Sequence, residues 1–138
     1  MSAASNYLEA KLLDHALGTT TFTKPTTVYV ALFSGSPASN LEAGTLTDEI
    51  TTTSSAYARQ AATFASAASP GGTATTSATI TFPTATASWG TVTYLAIMDG
   101  ATAGAGNVLF YGALDSSKLI ETGDTFQIQS GNLTVTLA

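Results

Sequence analysis

The side chains that could do chemistry are few and scattered. His15 is the only histidine; it follows Asp14 and lies one helical turn after Lys11, a spacing at which an imidazole and its charged neighbours could pass a proton. Serine is abundant, but there is no Gly-x-Ser-x-Gly elbow and only this one histidine to serve a triad. Cysteine is absent, which removes a thiolate nucleophile, a disulfide framework and a cysteine-based zinc site. Among the nine acids, Glu42, Asp48 and Glu49 fall in a stretch without periodicity and read as a solvated rim, not a metal site.

The stretch from Trp89 to Leu114 is the best candidate for a ligand loop. Two apolar runs flank Asp99, Gly100, Gly104 and Gly106. A dinucleotide loop needs G-x-G-x-x-G leading into a helix, whereas Gly104-Ala105-Gly106-Asn107-Val108-Leu109 lacks the third glycine and runs into strand-forming residues. No Gly-Lys-Ser/Thr exists for a P-loop, and Asp99 alone is too few oxygens for calcium. The loop therefore reads as a hairpin turn. Trp89, Tyr94, Phe110 and Tyr111 could stack on a sugar or fill a core, and the core reading is the stronger. Arg59, the sole arginine, belongs to either an interface or a buried pair. No residue pattern points to catalysis, so the expectation is a protein that is not an enzyme, with no cofactor and no metal.

Strands and one helix must position these residues. Residues 5–17 form the helix: Asn6 followed by Glu9 suits a capping-box start, Gly18 suits a left-handed stop, and Leu8, Leu12 and Ala16, with Leu13 and Leu17 beside them, make an apolar stripe. Strands are expected at 27–33, 56–64 and 78–82, in the two runs around Asp99, and at 124–129 and 133–137, the last two closing on each other as a hairpin through Ser130-Gly131-Asn132. Between them, 38–55 reads as a contact-making loop and the Ala/Ser/Pro/Gly stretch through Thr76 as a flexible one. The fold expected is mainly β: a single domain over 1–138, with an antiparallel β-sandwich of about seven strands in 27–137 and one N-terminal α-helix.

Composition narrows the partners. Four Lys and Arg against nine Asp and Glu give a net charge of -5, which disfavours nucleic acid. No run approaches the 18 apolar residues of a membrane span, and no signal peptide is evident. Only 9% of residues are charged, against about 25% in a typical domain, so the surface is cheap to desolvate and suits permanent assembly. A homo-oligomer is expected.

The chain also resembles a family of short virion structural proteins of tailed bacteriophages, of the capsid cement or decoration type or the tail-fibre or minor tail type. The resemblance is carried by Asn6-Tyr7-Leu8-Glu9, Lys11-Leu12-Leu13-Asp14-His15, Val28-Tyr29-Val30-Ala31-Leu32-Phe33, Tyr57-Ala58-Arg59-Gln60-Ala61, residues 82–93 and Leu109-Phe110-Tyr111-Gly112-Ala113-Leu114; it covers most of the chain and is least in 35–55 and 66–77. It brings no catalytic residues. It implies a place in the virion, with the major capsid protein or tail proteins as partners. The leading expectation is a trimeric decoration protein that strengthens contacts between capsid subunits; the alternatives are a tail-fibre or minor tail component and a carbohydrate-binding module built on Trp89. Tyr7, Leu8, Lys11, Leu12, His15 and Arg59 are the candidate interface residues.

Overall fold

The computed structural model describes residues 2–137. In chain order the elements are β1 (Ala3–Ala4), α1 (Asn6–Ala16), β2 (Val28–Ser34), α2 (Ala38–Ala43), β3 (Gln60–Ala62), β4 (Thr73–Thr75), β5 (Ile80–Thr81), β6 (Gly90–Met98), β7 (Val108–Ile120), β8 (Gln127–Ile128) and β9 (Thr134–Thr136). The protein is mainly β, with antiparallel sheets and one main helix near the N-terminus, as expected. Among the described residues nine strands are present where about seven were foreseen; the two not foreseen are β1 and β4, of two and three residues, too short to leave a periodic signal.

A five-stranded sheet in the order β1-β7-β6-β2-β3 forms the centre, and two small sheets pair β4 with β9 and β5 with β8. The central strands are apolar on both faces, the pattern of a sheet covered on both sides. On one face Val30, Leu32, Val92, Ile97 and Leu109 pack with Ile80 and Val135 from the small sheets and Phe126 just before β8; on the other, Ala31, Phe33, Ala96, Met98 and Val108 pack with Leu41 of α2. The run Val92 to Met98 therefore has no single inward face. Its register also shifts between Val92 and Tyr94, where Thr93 alone opposes Leu114, Asp115, Ser116 and Ser117. Against β2, Phe33 pairs with Tyr94 and Ser34 with Val92, so Thr93 is an extra residue in β6. Such a bulge changes which face later residues present, and it explains why Val92 and Ala96 sit in different clusters despite their even spacing.

The N-cap of α1 is Ser5, one residue before the Asn6 of the capping-box reading. Ser5, fully buried, accepts a hydrogen bond from the Leu8 amide at 3.2 Å and donates to the Val108 carbonyl, while its own amide donates to Leu109 O at 2.9 Å. A serine can cap the helix and bond to β7 with one hydroxyl, which Asn6 in the first turn cannot. At the other end Gly18 takes φ +79°, the left-handed stop expected.

Three other expectations are corrected. The stretch 38–55 contains α2, closed by Gly44 at φ +82° and anchored by the fully buried Leu41. A six-residue helix with one buried position leaves no stripe to read. The strand expected over 56–64 shortens to β3, since Ser54 and Ala56 adopt positive φ and turn the chain just before it. The C-terminal hairpin does not form: β8 pairs with β5 (Ile80↔Ile128) and β9 with β4 (Ala74↔Val135), the latter within a stretch read as flexible. Gly131 N donates to Thr76 O at 2.8 Å and Thr76 N to Leu133 O at 3.0 Å, so Thr76 holds the turn open and both strands find partners elsewhere.

Candidate functional site

The densest polar chemistry lies behind the tip of the β6–β7 hairpin. Arg59 reaches Glu49 through two parallel bonds, Nε to Oε1 and Nη2 to Oε2, each 2.8 Å, and its Nη1 donates to Gly100 O at 2.8 Å and Ala105 O at 2.9 Å. Glu49 in turn accepts from the Gly104 amide at 2.8 Å and from the Tyr57 hydroxyl at 2.9 Å, and that hydroxyl accepts from Leu32 N at 3.0 Å. Both charged side chains are almost wholly out of solvent. A buried pair holds only when its polar atoms find partners, and here every buried nitrogen and oxygen of the pair has at least one. Burial and then the neighbouring carboxylate push the Tyr57 hydroxyl far above the usual tyrosine range, so it serves as a neutral donor.

The pair ties β2, the chain at 49–59 and the hairpin tip into one unit. Asp99 completes the tip, accepting from Asn107 N and Asn107 Nδ2, both at 2.7 Å. Gly106, at φ +83°, passes so close that a Cβ there would lie 2.8 Å from Asp99 Oδ1. Asp99 and the glycines thus build a turn, as the sequence implied. Glu49 is corrected from solvated rim to buried ion-pair partner: sequence could see neither the turn at Ser54–Ala56 nor the carbonyls that fill the guanidinium's other positions. Asp48, its neighbour, accepts from Asn40 Nδ2 at 2.8 Å.

The six candidate interface residues do not form one surface. Arg59 is the buried pair just described, and Leu8 is 4% exposed within the core, so neither is available at the surface of this chain. Tyr7 and Leu12 are half-buried against the core, and the Lys11 ammonium lies 5.8 Å from the Tyr7 ring centroid. His15 is exposed, and its Nδ1 accepts from Phe22 N at 3.1 Å. The outward residues are instead Leu13 and Leu17, 60% and 75% exposed, one helical turn apart. Their distinction from Leu8 and Leu12 depends on how α1 is rotated on β7, which Ser5 sets and spacing alone does not.

Trp89 offers no stacking face. It is 5% exposed, meets Tyr57 and Phe82 edge-on at 5.5 and 6.4 Å, and donates from Nε1 to Ser55 O at 2.8 Å. Phe110 packs with the same cluster, whereas Tyr94 and Tyr111 pack with the other, so the four aromatics make no common platform. Among the described residues no three His, Asp or Glu side chains converge on a metal position.

A family model described as Podophage GP4 fiber I protein gp80 matches residues 3–136. No curated protein matches the chain.

Proposed function

The chain belongs to the family described as Podophage GP4 fiber I protein gp80, a virion structural family of short-tailed bacteriophage, and from that premise we propose that it is a subunit of the fibre apparatus rather than a capsid decoration protein. Its place is the virion. The observation that carries the fibre reading is the family match over residues 3–136, nearly the whole chain.

Size sets how such a subunit works. A compact domain of this length has a radius of gyration of about 14 Å, too short to be a fibre alone, so length must come from further copies or from neighbouring proteins. The role is non-catalytic: a rigid module whose buried polar groups are spent on holding its own loops. Its contact with other copies or with tail proteins uses the outer face of α1, where Leu13 and Leu17 stand exposed.

Copy number discriminates between the two virion roles. Quantitative mass spectrometry of purified virions, referenced to the major capsid protein, is expected to give at most a few dozen copies. Hundreds of copies would return the protein to the decoration role.

A further inference from the structure

A second surface, which meets α1 only at Glu9, has a composition that specifies its partner. A groove of about 280 Å³ opens between β6–β7 and the chain at 128–135, walled by Leu95, Ile97, Phe110, Leu114, Ile128 and Leu133. It shares Ile97, Phe110 and Val135 with an adjoining lobe of about 150 Å³ whose lining side chains are all apolar. It shares Ser2 and Thr134 with a trough of about 570 Å³ beside β1 and β9. The three cavities thus adjoin through shared lining residues, with the 150 Å³ lobe wholly apolar and the polar side chains on the other two.

The charged residues of the lining are of one sign. Asp115 is the sole charged residue lining the groove, and Glu9 the sole one lining the trough; no Lys, Arg or His lines any of the three. Both carboxylates are exposed, and among the described residues neither side chain makes a hydrogen bond or an ion pair. An apolar depression rimmed by two free carboxylates complements apolar side chains set beside cations, because the apolar part gains from leaving water and the charges select the partner. Volume agrees: a cavity of about 150 Å³ accepts a benzene-sized group, so the groove and its lobe have room for two large side chains.

We propose that this depression docks a segment of a different virion protein, one carrying two large apolar residues beside Lys or Arg. A second copy is the poorer match, since the chain has net charge -5 and its four Lys and Arg are the buried Arg59, Lys11 over the Tyr7 ring, Lys24 and Lys118. The assignment rests on the virion-assembly reading but not on the fibre: it applies wherever in the particle the protein sits, so its failure is distinguishable from failure of the fibre reading.

Zero-length carbodiimide cross-linking of purified virions, followed by peptide mass spectrometry, tests it. Asp115 or Glu9 is expected to join to a lysine of another virion protein. The Asp115→Lys/Glu9→Lys variant, altered only at exposed positions, is expected to melt like the wild type yet enter virions at about one-tenth the copy number. Should that variant fold poorly, Asp115→Asn with Glu9→Gln, which keeps side-chain size, makes the same comparison. Cross-links confined to lysines of a second copy would overturn the proposal, as would wild-type incorporation of the folded charge variant.

Discussion

Arg59 and Glu49 meet in a two-bond contact, 2.8 Å at each bond, that joins the chain at 49–59 to the tip of the longest hairpin through the carbonyls of Gly100 and Ala105. Removing one partner leaves the other charged and buried, which costs about 3–5 kcal/mol. Arg59→Met and Glu49→Gln are each expected to lose that much in denaturant unfolding. The double variant Arg59→Met/Glu49→Met is expected to recover part of the loss, because no uncompensated charge remains.

Tyr57 links this network to alkaline stability. Its folded pKa is raised, by burial first and by Glu49 second, so the folded state keeps its proton where the unfolded chain, titrating near about 10, loses it. Stability is then full below pH about 10 and falls as pH rises above it, by about 1.4 kcal/mol per pH unit for this one group. Tyr57→Phe is expected to show a shallower fall between about pH 10 and 11.5. At neutral pH it is expected to be less stable by about 1–3 kcal/mol, since Leu32 N and Glu49 each lose a partner. Unfolding free energies measured across that range check both parts.

Gly104 and Gly106 separate two costs of a side chain in the same turn. Both have positive φ, but a Cβ on Gly104 meets nothing within 4 Å whereas one on Gly106 meets Asp99 Oδ1 at 2.8 Å. Gly104→Ala is expected to cost about 1–2 kcal/mol from backbone conformation alone. Gly106→Ala must in addition displace the carboxylate that holds Asn107, and is expected to cost more. Thermal melts of the pair, read side by side, decide the order.

The hairpin around Asp99 was legible because its signals are local: apolar runs rich in β-branched and aromatic residues on each side and turn-forming residues between them. Mainly β architecture and the N-terminal helix were legible for the same reason. What could not be read was set by partners distant in sequence. Glu49 pairs with Arg59 only because Ser54 and Ala56 turn the chain at positive φ, a conformation neither residue type announces. The segments 124–129 and 133–137 carry good hairpin chemistry, yet β4 and β5 supply better-placed edges and Thr76 grips the turn between them. On α1, Leu8 and Leu13 look alike in sequence, and the hydroxyl of Ser5 on β7 decides which one is buried.

Leu13 and Leu17 can be made polar without touching the core. Leu13→Ser/Leu17→Ser is expected to change the unfolding free energy by no more than about 1 kcal/mol, the range of two exposed substitutions. Incorporation into virions is expected to fall sharply. Wild-type copy number in particles assembled with this folded variant would remove α1 from the contact surface.

The position of the protein in the particle bears most directly on the fibre role. Cryo-electron microscopy of virions labelled with an antibody fragment against this chain is expected to place the label at the tail, on or beside the fibres. Label distributed over the capsid lattice, with none at the tail, would contradict it.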